Sequence, residues 1–237
     1  MSFFRFNKII ISFVKKGKWD AIKSYPYYSD WEKYLSTGHS SIVDELPWIT
    51  FAAIDFIKKH IDKNDTVFEY GGGGSTLFFL KNAGKVVTVE HDKSWFERLK
   101  SIIKTRKIET WEGNFIHPEI DHDKSKKDIS DPNDYTSDDG NYKNVNFKKY
   151  VSAIDKFPDG HFNWVLVDGR ARTSCLAHSF SKIKPGGYLI LDNAERKYYT
   201  EKQNGILDSK FDLQLNIFGA VPFIPDFSQT NIWKKKL

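Results

Sequence analysis

The stretch Thr66–Asp92, TVFEYGGGGSTLFFLKNAGKVVTVEHD, decides the fold. Thr66–Tyr70 is a short apolar run of strand-forming residues. Gly71–Gly74 ends it, Ser75–Asn82 reads as a helix, and the valine-rich Lys85–Glu90 reads as a second strand. A strand, a crossover helix and a second strand form a right-handed parallel unit.

Working outward, the same alternation continues. Pro47 opens an amphipathic helix, PWITFAAIDFIKKHI, at a position where proline is tolerated. After the second strand come a helix over Lys93–Thr105, a third strand over Ile108–Trp111 and a helix over Phe147–Lys156. A fourth strand spans Phe162–Val167. The helix Ala171–Ile183 stops at Lys184-Pro185-Gly186-Gly187, and Tyr188–Leu191 is a fifth strand. Phe211–Phe218 and Thr230–Trp233 are late strands with no helix between them. The expectation is an α/β, doubly wound, mostly parallel seven-stranded sheet with a terminal antiparallel hairpin and helices on both faces. Ligands of such sheets sit beyond the carboxyl ends of the strands. That rule singles out Glu69–Ser75, Glu90-His91, Glu112–Asn114, Asp168–Arg172 and Asp192–Arg196.

Glycines after the first strand let backbone approach a ligand, and a helix begins there. A P-loop would need Gly-Lys-Ser/Thr, and this loop has no lysine. A dinucleotide loop, GxGxxG, would need a small third residue where Thr76 or Leu77 stands, which counts against NAD. With Glu69 two positions before Gly71, the hhE-x-G-x-G pattern resembles motif I of class I S-adenosylmethionine (SAM)-dependent methyltransferases. VFEYGGGGST, VTVEHD, VLVDGRAR and IKPGGYLILDN occur in that superfamily's order and cover about residues 47–200. DGRAR and LDNAER are similar to O-methyltransferases of bacterial polysaccharide gene clusters. The resemblance implies SAM as cofactor, held by Glu69, Tyr70, Gly71, Gly72, Gly73, Ser75 and Thr76. It also implies Glu90 on the ribose hydroxyls and Glu112–Asn114 at the adenine edge.

Methyl transfer to an alcohol requires a base or a metal ion to remove the hydroxyl proton. Asp168, Asp192 and Asn193 are hard oxygen ligands similar to the metal triad of cation-dependent O-methyltransferases, which implies Mg²⁺ or Mn²⁺. Helix capping by Asp192 or Asn193 is the plainer alternative. Without a metal, Asp168 is the expected general base, with His91 second. Arg170, Arg172 and Arg196 at the same edge suit a carboxylate or phosphate on the acceptor, or else salt bridges to Asp168, Asp192 and Glu195. Trp48, Trp95, Trp111 and Trp164 are sugar-stacking platforms or core residues.

The 237 residues carry a net charge of +5. Residues 1–23 hold Arg5, Lys8, Lys15, Lys16, Lys18 and Lys23 against Asp20, which accounts for the whole excess. The neutral remainder argues against a general nucleic-acid surface. No apolar run is long enough to cross a membrane. At 3.6 residues per turn, Phe3, Phe6, Ile9, Ile10, Phe13 and Val14 share one face. Arg5, Lys8, Ser12, Lys15 and Lys16 share the other, and Phe4 and Ile11 interrupt the pattern. Such a helix either lies on an anionic membrane through residues 1–18, or packs on the domain or a second copy.

Residues 1–46 therefore read as a basic amphipathic extension and 47–237 as the methyltransferase domain. Within the latter, the polar stretch 118–146 is either a lid or a solvated insertion. Its Asp121, His122 and Asp123 resemble metal ligands but suit solvation in so charged a loop. The lone Cys175 excludes a disulfide framework and fits a buried helix position in a cytoplasmic protein. The combined expectation is a cytoplasmic SAM-dependent O-methyltransferase acting on a sugar hydroxyl of a bacterial surface glycan or its precursor. If the basic helix docks, the enzyme works at the inner membrane face. The rivals are a SAM-dependent methyltransferase on another small or lipid-linked acceptor, a nicotinamide oxidoreductase and a non-catalytic Rossmann-like binding protein.

Overall fold

The computed structural model describes residues 3–123 and 125–237. Met1 and Ser2, at the start of the stretch read from sequence as a basic helix, and Lys124, in the polar insertion, lie outside the described residues. The chain opens with α1 (Phe3–Lys15), a 3₁₀ helix (Trp19–Tyr27), α2 (Tyr28–Tyr34), α3 (Ser41–Asp44) and α4 (Phe51–His60). Then follow β1 (Thr66–Tyr70), α5 (Gly74–Asn82), β2 (Lys85–Glu90), α6 (Lys93–Thr105) and β3 (Trp111–Phe115). The insertion carries β4 (Glu119–Ile120) and β5 (Val145–Asn146). After it come α7 (Lys148–Val151), β6 (Phe162–Val167), α8 (Arg172–Lys182), β7 (Ile183–Asp192), α9 (Asn204–Lys210), β8 (Phe211–Ala220) and β9 (Phe227–Lys235).

Seven strands form one sheet in the order β3-β2-β1-β6-β7-β9-β8. The first five are parallel, β9 runs antiparallel to β7, and β8–β9 is an antiparallel hairpin. The doubly wound architecture is the expected one. The chain reverses its winding between β1 and β6, so their carboxyl ends open a crevice.

Period-two alternation sorts each central strand between two cores. Phe68, Tyr70, Val87, Val89, Val165, Val167, Leu189 and Leu191 face α8 and α9. Val67, Val86, Trp164, Leu166, Ile190 and Ile232 face the other way, onto α1, α4 and α5. Phe6, Ile10 and Trp31 of the N-terminal extension belong to this second core. Full burial of Phe6 and Ile10 contributes roughly 3–6 kcal/mol before ordering costs. The face of α1 centred on Phe6 and Ile10 thus packs on the domain, and a different face is left outward.

Four segments depart from expectation. α4 begins at Phe51 behind Thr50, not at Pro47, and β7 begins at Ile183, so residues 184–187 lie within the strand. The third strand is Trp111–Phe115, not Ile108–Trp111. It is an edge strand without β-branched residues, and Gly113 leaves room for the Trp111 ring. The helix expected over Phe147–Lys156 is only α7 followed by a 3₁₀ turn, Ser152–Ile154. The insertion is ordered by aspartate turns such as Asp121–Asp123 and Asp128–Ser130, and by β4–β5 pairing. Cys175 is fully buried in α8.

Candidate functional site

The turns after β1 and β6 meet backbone to backbone. Gly71 has φ +93°, and a Cβ on it would lie 3.0 Å from the Gly169 backbone. A Cβ on Gly169 would in turn strike the Tyr150 hydroxyl and approach the carbonyl carbon of Tyr70 to 3.0 Å. Only glycine fits both turns, and their contact forms the floor of the crevice.

Two carboxylates organise the loop. Glu69 alternates to the same face as Val67 and lies fully buried beneath α5. It accepts hydrogen bonds from Ser75 Oγ (2.8 Å), Thr88 Oγ1 (2.7 Å) and Thr76 Oγ1. Thr76 Oγ1 also accepts from the Gly73 N–H, and Trp111 Nε1 donates to Thr88 Oγ1. Burial pushes the Glu69 carboxyl up to about 7, against the pull of the three hydroxyls. Glu90 accepts from the Gly72 N–H (2.9 Å), the His91 N–H (2.6 Å) and the Asp92 N–H (2.7 Å). Trp95 Nε1 donates to the Gly72 carbonyl from the first turn of α6, whose N-cap is Asp92.

Above this floor lies a cavity of about 360 Å³. Gly71–Ser75, Glu90, His91, Asp92, Trp95, Tyr142, Asp168 and Arg170 contribute to its wall, with Ser41 and Trp48 from the chain before β1. Three carboxylates face one guanidinium, and that guanidinium is paired outside with Asp139 (2.9 Å). The cavity therefore favours a cation. Gly74, at the start of α5, is backed by the Ser41 and Leu46 carbonyls, a poor setting for a pyrophosphate.

A second cavity of about 400 Å³ adjoins the first and shares Trp48, Asp168 and Arg170 with it. Arg172, Asp192, Asn193, Arg196 and Ser228 add its polar lining, and Val221 and Ile224 its apolar lining. The Ser228 hydroxyl and Arg170 Nε are buried without a hydrogen-bond partner among the described residues.

Asp168, Asp192 and Asn193 do come together, but a fixed cation stands between the carboxylates. Arg172 is 8% exposed, with its guanidinium 3.0 Å from Asp168 Oδ1 and 3.8 Å from Asp192 Oδ2. It also donates to the backbone carbonyls of Asp168, Gly169 and Asp192. Asp192 Oδ1 accepts from Thr230 Oγ1, and burial with the nearby Asp168 charge pushes the Asp192 carboxyl up to about 8. These residues do not fit a divalent ion, because Arg172 already fills that electrostatic role. Burial likewise raises Asp168, opposed by Arg172 and Arg170.

The remaining expected residues divide clearly. Gly71, Gly72, Gly73, Ser75, Glu90, His91, Asp168 and Arg170 line the first cavity. Glu69, Tyr70 and Thr76 do not; they hold the loop from below, with the Tyr70 hydroxyl donating to the Val151 carbonyl. Glu112 and Asn114 also miss it. With the third strand shifted, both lie within β3, and Glu112 pairs with Lys85 and Lys156 while Asn114 accepts from Lys156. His91 sits edge-on to Tyr142, Phe147 and Tyr150 and is absent from the second cavity. Arg172 is structural, whereas Arg196 reaches the second cavity while paired with Asp138. Trp111 and Trp164 bond within the fold, to Thr88 and Asp65. Asp121 and Asp123 are paired with Lys127.

Sequence reading missed Ser41, Asp92 and Tyr142. Asp92 had a signal, since it directly follows the second strand. Tyr142 had none, because it comes from the insertion, which folds over the strand ends through Arg170–Asp139 and Arg196–Asp138.

No family model and no curated protein matches the chain in sequence. Among solved structures, an rRNA methylase from Streptococcus thermophilus is similar over 77% of this chain and 93% of its own, with TM-score 0.51 and 13% identity. A methyltransferase-like protein from Silicibacter pomeroyi is similar over 79% of this chain and 87% of its own, with TM-score 0.50 and 21% identity. At such identities the likeness establishes the fold, the Rossmann-like one found in methyltransferases.

Proposed function

We propose that the chain is a SAM-dependent methyltransferase acting on a sugar hydroxyl that carries an acidic group nearby, in a surface glycan or its precursor. One observation carries the reading: a carboxylate-lined cavity on a glycine turn opens, at Asp168, into an arginine-lined cavity. The first suits a sulfonium and ammonium, and the second suits an anionic acceptor. When bound, SAM supplies an electrophilic methyl group on a cationic sulfur. Gly71–Ser75, Glu90, Asp92 and Trp95 are the residues that would hold it.

In this reading the acceptor occupies the second cavity, with its acidic group on Arg170 and Arg196 and its ring against Trp48. Asp168 stands where the two cavities meet and takes the hydroxyl proton on its carboxylate. Burial makes it a stronger base than an exposed aspartate, and Arg172 fixes its orientation. Holding the two reactants in adjoining cavities supplies the remainder of the rate. No metal ion enters the proposal. The S. thermophilus relative in fold is an rRNA methylase, but the charge-neutral body of this chain favours a small acceptor over RNA.

Calorimetry with S-adenosylhomocysteine and with NADH tests the reading. S-adenosylhomocysteine should bind and NADH should give no heat. Binding of NADH alone would overturn the assignment.

A further inference from the structure

We infer that α1 and the adjoining 3₁₀ helix form a docking surface for an anionic lipid bilayer. The inference is independent of the methyl-transfer reading. Twelve large hydrophobic side chains are exposed among the described residues, and six of them fall within residues 3–25: Phe3, Phe4, Ile11, Trp19, Ile22 and Tyr25. Soluble surfaces do not concentrate apolar groups in this way without a partner.

Their placement is regular. On α1, Phe4, Lys8, Ile11 and Lys15 recur at four- and three-residue steps, so they form one exposed stripe opposite Phe6 and Ile10. Phe4 and Ile11 interrupt the amphipathic pattern in sequence because they belong to this outward stripe. On the 3₁₀ helix, with three residues per turn, Trp19, Ile22 and Tyr25 fall along one edge. The Tyr25 hydroxyl donates to Asn7 Oδ1 (2.7 Å), and its ring lies 6.4 Å from that of Phe3, so the two helices run side by side. Phe4 at 77% and Trp19 at 67% exposed are the most exposed of these six side chains.

Charge names the occupant. All of the chain's net +5 lies in residues 1–23. Beside the apolar stripe, a groove of about 560 Å³ is lined by Arg5, Lys8, Ser12 and Lys16, with Asp226 its one acidic residue. Apolar side chains that insert, flanked by cations that meet phosphate headgroups, match an anionic membrane surface. A protein partner would need no such one-sided charge. The surface also stands close to the second cavity. Phe6 and Phe13 pack on Phe227, and Phe13 on Phe218, at the base of the loop that carries Val221 and Ile224 into that cavity.

Flotation of the full chain tests the inference, with vesicles of phosphatidylcholine alone or with about 30% phosphatidylglycerol. Binding is expected only with the anionic vesicles, and it should weaken at about 0.5 M salt. The variant Phe4→Ser/Ile11→Ser/Trp19→Ser should lose at least about tenfold in partitioning. Its melting temperature and S-adenosylhomocysteine affinity should stay unchanged, because none of the three is buried or lines the donor cavity. The inference is overturned if the wild type stays unbound to anionic vesicles, or if the variant floats equally well. It is also overturned if light scattering shows a dimer that the substitutions dissolve without any vesicle binding; the surface would then belong to a second copy. S-adenosylhomocysteine affinity, read in the same samples, separates a failure here from a failure of the catalytic proposal.

Discussion

Two pairs of carboxylates stand at or beneath the crevice, and they are held by opposite means. Glu69 and Glu90, at the ends of β1 and β2, are held by neutral donors: three hydroxyls on one and three backbone N–H groups on the other. Asp168 and Asp192, at the ends of β6 and β7, share one guanidinium. Neutral donors fix the loop from below at Glu69 and leave the charge of Glu90, on the cavity wall, for a ligand to use. A guanidinium consumes the charge and so closes the site to a second cation. The electropositive ligand therefore belongs on the β1–β2 side, and the β6–β7 side is left to orient an acceptor.

Removing the guanidinium should have the largest effect. Arg172→Met strands the buried Asp192 and the half-buried Asp168, and loss of one partner of a buried ion pair costs about 3–5 kcal/mol. Urea unfolding should show that loss at neutral pH, with partial recovery in acid as the carboxylates protonate. A variant as stable as the wild type would mean that Arg172 does not hold the pair.

The neutral-donor pair is probed by pH. Folding raises Glu69 from about 4.5 to about 7, so the folded chain holds this proton more tightly than the unfolded chain. The associated stability is complete below pH 4.5 and is lost as pH rises towards 7. The loss is on the order of 3 kcal/mol for a fully buried group. Asp192, raised to about 8, adds a decline of the same sign. Glu69→Gln should remove the Glu69 part, so the gap between variant and wild type should narrow in acid and shift in the variant's favour towards pH 8. Parallel stability curves for the two proteins would show that Glu69 titrates normally.

How much of this the sequence disclosed depends on where each residue's partners lie. Thr66–Tyr70, Lys85–Glu90, Lys93–Thr105 and Phe162–Val167 match their elements, because local propensity and periodicity agree with the tertiary fold there. β3 slipped because WEGNF is half-buried throughout and lacks a period-two signal. The inward face of Glu69 was readable, since it alternates with Val67 under α5. Salt bridging of the arginines to Asp168 and Asp192 is one of two readings the sequence allows. The choice between it and acceptor binding was not legible, because it depends on how two strand ends 24 residues apart meet in space. Tyr142 and Ser41 reach the donor cavity from segments without periodicity, which only the folded chain brings near.

Glu90 tests the other half of the neutral-donor pair, with a smaller effect. Glu90→Gln replaces one accepting oxygen with an N–H₂ group, which must oppose either the Gly72 N–H or the His91 and Asp92 N–H groups. The loop should loosen and S-adenosylhomocysteine affinity should fall about tenfold or more, the equivalent of roughly 1.4 kcal/mol or above. Unchanged affinity in calorimetry would show that the Glu90 bonds do not shape the cavity.

The smallest effect expected is none, and it sharpens the contrast most. If Arg172 is the cation of the β6–β7 pair, Mg²⁺ or Mn²⁺ has no place beside Asp168 and Asp192. A resident site at a hundredfold excess over its dissociation constant would add about 2.7 kcal/mol, or roughly 5–10 °C in melting temperature for a chain this size. A shift below about 1 °C in millimolar Mg²⁺ or Mn²⁺ is expected instead, unaltered by EDTA, because a divalent ion would first have to displace a buried guanidinium from five oxygens. A shift of several degrees, abolished by Asp192→Asn, would mean that the guanidinium swings aside. Asp168 and Asp192 would then be as open to a ligand cation as Glu90, and the division between donor side and acceptor side would fail.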